Sequence, residues 1–126
     1  KLANLMFAME YERRLRRAGL ATQAIAAHPG ASSTNLFSTP GGFIAKRILS
    51  PLAKAFFFQS AADGALPLLY AATAVEAQPG GYYGPANANE MKGPVAAAKV
   101  PAQANDAAVA AKPWRAAERL TGVSYP

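Results

Sequence analysis

The residues able to do chemistry are few. Lys1 heads an apolar, helically spaced run, "KLANLMFAME", and taken alone it reads as a solvated end. His28 is the sole histidine and is followed at once by Pro29-Gly30, a turn signal. Ser33 and Thr34 bring hydroxyls just after that turn, at the N-cap position of a helix expected to start near Asn35. Asp63 and Glu76 are isolated carboxylates with no visible partner. One histidine supports neither a Ser–His–Asp triad nor a metal site, and it reads as a structural residue at a strand end. With no cysteine in the chain, disulfides, thiolate metal sites and cysteine nucleophiles are excluded.

These residues must be held by something, and the composition allows it. The chain has 126 residues, 52% hydrophobic and 16% charged, enough for a packed core and unlike a disordered chain. The absence of cysteine fits a reducing, cytoplasmic setting. No eighteen-residue apolar run and no signal peptide is visible, so no membrane partner is expected. A formal charge of +6 raises a nucleic-acid partner, but four of the cations sit in the single run Arg13-Arg14-Leu15-Arg16-Arg17. Glu10 and Glu12 precede Arg14 and Arg16 by one helical turn, the favourable order for side-chain pairs. Without aromatic residues between the cations, the run reads as a solvated helix end and no nucleic-acid partner is expected.

Leu2, Leu5, Met6, Met9 and Leu15 recur at helical spacing and Gly19 supplies the stop, so residues 2–18 are predicted to be helical. "ATQAIAAHPG" follows as a strand whose apolar Ala24–Ala27 do not alternate, the habit of a parallel strand covered on both faces. A Gly/Pro-punctuated apolar stretch occupies 43–58, and a second helix is expected over about 60–75. "GGYYGP" reads as turn, short strand and turn. From about Asn87 to Lys112 no period lasts, so an irregular surface tail is expected. "PWRAAERLTGV" then reads as a short closing helix, Pro113 at its start and Gly122 at its end. A doubly covered parallel strand needs parallel neighbours, each arriving through a crossover of about 30 residues. Only one further weak strand is visible. The expected fold class is therefore α/β, the chain being the C-terminal part of a larger α/β domain with a parallel sheet.

Four stretches in this order, "KLANLMFAMEYERRL", "AAHPGASSTNLF", "AADGALPLLYAATA" and "AAERLTGVSYP", resemble the C-terminal half of a short-chain dehydrogenase/reductase. The likeness is to the retinol-dehydrogenase and WW-domain-oxidoreductase branch and spans nearly the whole chain. It implies the C-terminal part of a doubly wound Rossmann-type parallel sheet with helices on both faces, in an NAD- or NADP-dependent enzyme that interconverts an alcohol and a carbonyl. Lys1 falls on the lysine of a motif whose tyrosine stands four residues earlier, on the same helix face. Such a lysine bonds the nicotinamide ribose and lowers the tyrosine's pKa, so that the phenol exchanges a proton with the substrate oxygen.

Pro29, Gly30 and Thr34 match the family's Pro-Gly-x-x-x-Thr loop on the cofactor, although Ser32 stands where many members carry an aliphatic residue. The segment 36–58 corresponds to a substrate lid, and 87–126 to a tail with a short helix. Phe37 and Phe43 in the lid suggest a greasy alcohol or carbonyl as the small-molecule substrate. Pairing through the helix that begins at Lys1 would give a homodimer. The glycine-rich phosphate loop, the catalytic serine and the tyrosine are not in this sequence, and Tyr11 lies on the wrong side of Lys1 to replace the last. The 126-residue piece alone is expected to be inactive. The alternative is a non-catalytic dinucleotide-binding or interaction protein with the same fold.

Overall fold

The structure, a computed structural model, describes residues 1–31 and 59–125. Helix α1 spans Leu2–Arg17, β1 Ala26–Ala27, α2 Ala61–Thr73, β2 Tyr82–Asn87, β3 Lys92–Ala97, α3 Ala102–Asn105 and α4 Ala107–Thr121. The fold is mixed α/β, with one three-stranded sheet in the order β1-β2-β3 among the described residues. Ala26 N–H donates to Gly81 O and His28 N–H to Tyr83 O, both 2.9 Å, so both chains advance together and the β1–β2 pair is parallel. The β2–β3 pair is antiparallel, with Tyr83 opposite Ala97 and Pro85 opposite Val95.

The contacts divide the chain into two compact units. The first holds Lys1–Ala26, Ala74–Tyr82 and Lys99–Pro126. Its core joins Leu5, Met6, Ala104 and Ala110, flanked by Met9, Ala26, Tyr82, Val100 and Val109. Of the stripe expected on α1, Leu5, Met6 and Met9 pack here and Leu15 is buried, while Leu2 is exposed. At the end of α1, Leu20 N–H reaches back to Leu15 O and Gly19 N–H to Arg16 O, with Gly19 left-handed at φ +68. That pattern satisfies the last carbonyls and stops the helix as its glycine predicts. Beside it, Phe7 and Tyr11 stack on Trp114, which is only 1% exposed, and the Arg14 guanidinium lies 4.5 Å from the Trp114 ring.

The arginine run is the solvated end expected of it only at Arg16 and Arg17. Glu10, 3% exposed, is the common partner of Arg13, Arg14 and Arg17 at 3.0–3.4 Å. Arg13 also donates to the carbonyls of Ala104 and Asn105, closing α3 onto α1. Glu12 accepts from Arg16 at 2.7 Å and from the Ala24 N–H at 2.8 Å. The helix pairs read from spacing are present; Arg13 and Arg14 are mostly covered, while Arg16 and Arg17 keep most of their side chains in solvent.

The second unit holds Ala27–Thr73 and Tyr83–Ala98. Here Ser60 caps α2 reciprocally: its Oγ accepts from Asp63 N–H and donates to Asp63 Oδ2. Asp63 is thus a capping residue rather than an isolated carboxylate. Helix α2 packs against β3, and Tyr70 lies 4.9 Å from the Tyr83 ring.

Three expectations need correcting. The stretch 87–112 is organised as β3, α3 and the first part of α4 rather than as an irregular tail. The last helix begins at Ala107, where the Asp106 carboxylate accepts from the N–H groups of Ala108 and Val109, and Pro113 lies inside it. The strand before His28 is only Ala26–Ala27 and is half-buried; ahead of it the Ala24 N–H donates to Glu12 and the Ala24 carbonyl accepts from the Gly80 N–H. Gly122 does end α4, left-handed at φ +69.

Candidate functional site

The candidate residues fall in different parts of the description. Lys1, in the first unit, is exposed at the N-cap of α1, and its carbonyl accepts from the Asn4 and Leu5 N–H groups. Pro29 and Gly30, in the second unit, form the turn that leaves the carboxyl end of β1. Thr34, Phe37 and Phe43, with the whole 36–58 segment and the helix expected near Asn35, lie outside the described residues. No group of three or more histidine, cysteine or acidic residues suited to a metal occurs among the described residues. No helix among them is long and apolar enough to cross a membrane.

The turn is built from its own polar groups. Gly30 is left-handed at φ +64, and its N–H donates to His28 Nδ1 at 3.2 Å. The next amide, of Ala31, donates to the Met91 carbonyl at 2.8 Å. A Cβ on Gly30 would run into that carbonyl and into the Pro85 ring at 2.7 Å. The space that glycine leaves is therefore filled by the β2–β3 hairpin. The close approach that this glycine permits is one within the chain.

His28 is equally confined. Because Nδ1 accepts from Gly30, a neutral imidazole carries its proton on Nε2, which lies 3.4 Å from Glu90 Oε2. The ring occupies the space where Gly84 lacks a Cβ; a methyl there would collide with Nε2. Glu90 is presented by an unusual turn. Ala88, Asn89 and Glu90 are all left-handed, at φ +51, +55 and +63, each a conformation costing a non-glycine residue about 1 kcal/mol or more. The turn is closed by Met91 N–H on the Asn87 and Ala88 carbonyls, and it places the Met91 carbonyl against Ala31.

Sequence reasoning passed over Gln59, Glu90 and Met91. Gln59 Nε2 donates to the Pro29 carbonyl at 2.7 Å, although the two are 30 positions apart. Nothing in the local sequence marks such a partner. Glu90 had one legible signal, the turn-forming Asn87-Ala88-Asn89 just ahead of it, but its own left-handed backbone gave none.

No protein-family model and no curated protein matches the chain. Among solved structures it is similar to the crystal structure of an uncharacterized protein from Mycobacterium paratuberculosis, with 33% sequence identity and a TM-score of 0.70. The match covers 100% of this chain and 38% of that one, so the chain spans a little over a third of the neighbour's length.

Proposed function

We propose that the chain is the C-terminal portion of a Rossmann-type short-chain dehydrogenase/reductase that uses NAD or NADP to interconvert an apolar alcohol and its carbonyl. The observation that carries the reading is the place and form of the His28-Pro29-Gly30 turn. It leaves the carboxyl end of a strand paired in parallel with β2, and ligands of open α/β sheets gather at that edge. The four sequence stretches that resemble the family support it, because the turn lies within one of them.

The fit of a dinucleotide can be judged at this turn. Its amides are committed to His28 and Met91, so Gly30 and Ala31 N–H groups are not the donors it offers. What it offers is a rigid edge, with the Thr34 hydroxyl following it in sequence. Lys1 is exposed at the start of α1, and among the described residues its ammonium makes no hydrogen bond or ion pair. That leaves the ammonium available to hold a ribose hydroxyl and to stabilise the phenolate of a tyrosine one helical turn ahead. The phenol would pass its proton to or from the substrate oxygen, and the apolar Phe37 and Phe43 remain the residues proposed for an apolar substrate. The bound dinucleotide would supply the hydride donor or acceptor.

Reading the residues encoded immediately ahead of Lys1 tests the proposal. A tyrosine four positions before Lys1 is expected. Any other residue there would turn the reading to a non-catalytic protein of the same fold.

A further inference from the structure

Gln59 is 9% exposed and ties the turn together from both sides. Its backbone N–H donates to the Ala31 carbonyl at 2.9 Å, and its Nε2 donates to the Pro29 carbonyl at 2.7 Å. Its Oε1 accepts from the Gly93 N–H, on β3, at 3.3 Å. The carboxamide orientation follows from these partners, since reversing it would set oxygen against oxygen at Pro29 and N–H against N–H at Gly93. One buried side chain thus donates to the turn and accepts from the strand beneath it, while its backbone grips the far side of Gly30. An asparagine is one carbon too short to span these positions, and a leucine or methionine supplies neither bond.

Packing alone does not require this arrangement. Gly30 is already hemmed in by Pro85 and Met91, so a greasy side chain at 59 would preserve the fold's shape. What the carboxamide adds is the direction of the Pro29 carbonyl, hence the peptide planes flanking Gly30. Small errors in such planes matter where a ligand must be held for group transfer.

We propose that Gln59 is a positioning residue for the nicotinamide dinucleotide, fixing the Pro29–Gly30 turn against which the cofactor rests. The inference rests on the oxidoreductase reading above. Two variants of the full protein test it, Gln59→Met and Gln59→Glu, with NAD+ and NADP+ titrated separately and the melting temperature recorded for each. Gln59→Met removes both side-chain bonds, so it should weaken binding of whichever dinucleotide the unsubstituted protein takes by about tenfold or more and also lower the melting temperature, because the Pro29 carbonyl and the Gly93 N–H lose this partner. Gln59→Glu keeps the acceptor for Gly93 but can donate to Pro29 only when protonated. Its affinity, relative to the unsubstituted protein at the same pH, should be weak at pH 8 and recover toward pH 5.

Unchanged affinity in the folded variants, or a loss that follows melting temperature with no recovery at low pH, overturns the positioning role and leaves the dinucleotide reading standing. An unsubstituted protein that binds neither NAD+ nor NADP+ overturns the reading and the role together. If Gln59→Met does not fold, the pH comparison in Gln59→Glu decides alone.

Discussion

A methyl group added at Gly30 meets two penalties, while the same methyl at Gly19 meets one. Both residues are left-handed, at φ +64 and +68, but only Gly30 has neighbours in the way: the Met91 carbonyl and the Pro85 ring. Nothing lies within 4 Å of a Cβ on Gly19. Gly19→Ala should therefore cost about 1 kcal/mol, the left-handed penalty alone. Gly30→Ala should cost about 3 kcal/mol, because the colliding carbonyl is itself held by the Ala31 N–H and cannot yield without losing that bond. Urea unfolding of the two variants measures the difference, and equal costs would show that the hairpin does not press on the turn. Pro29-Gly30 was legible in the sequence as a turn, because the dipeptide carries its own geometry. Its partners were not, since Met91 and Gln59 are brought there by pairing of distant strands and no local pattern encodes that.

Helix α1 shows how one element converts a charge run into internal structure. Glu10 is 3% exposed and faces three guanidinium groups, of which Arg17 is 69% exposed and Arg13 and Arg14 are mostly covered. Removing the shared anion leaves several cations without their partner. Removing Arg17 leaves Glu10 still paired twice, and solvent screens what was lost. Glu10→Gln is thus expected to destabilise the protein by about 2–3 kcal/mol, somewhat below the figure for a wholly buried pair. For Arg17→Met the expected loss is under about 0.5 kcal/mol. Thermal unfolding at low salt compares them, and the idea of Glu10 as a hub fails if both substitutions cost the same.

At the same scale, Pro113 explains a misreading. Proline suits the first turn of a helix, which puts the expected start of the closing helix at Pro113, yet Asp106 is the cap and Pro113 sits well inside α4. The signal was available in "NDAAVAAK", an N-cap residue before an alanine-rich run, but the proline outweighed it. Strand β3 was hidden in the same way by Gly93-Pro94, residues that weaken a central strand and are tolerated on an edge, the place β3 takes among the described residues. An interior proline lacks the N–H that would bond the carbonyl four residues back. Pro113→Ala should accordingly leave α4 intact and raise stability by about 1 kcal/mol, seen as a higher melting temperature at unchanged far-ultraviolet dichroism. A fall in melting temperature would mean that the ring's packing in α4 outweighs the missing bond.

At the scale of the whole molecule, the question is what a formal charge of +6 does. A protein that binds duplex DNA through its charge needs cations free to displace counterions from phosphates. Four of the 13 cations, Arg13, Arg14, Arg16 and Arg17, are held by Glu10, Glu12, Glu118 and backbone carbonyls. Moving them to phosphates would break the contacts that fasten α3 and α4 to α1, so the densest basic run in the sequence is the least available. The remaining cations are scattered along the chain, at Lys1, Lys46, Arg47, Lys54, Lys92, Lys99, Lys112, Arg115 and Arg119. Weak, nonspecific attraction at low ionic strength is the most that such a distribution supports. Titration with a labelled 20-base-pair duplex should therefore show binding that vanishes by roughly 0.2 M salt, with a shallow dependence on salt concentration reflecting only a few displaced counterions. Affinity that persists above that salt, together with its loss in a variant lacking Arg16 and Arg17, the two most exposed members of the run, would show that the arginines leave their carboxylates for DNA. It would also replace the intramolecular account of α1 with an interface.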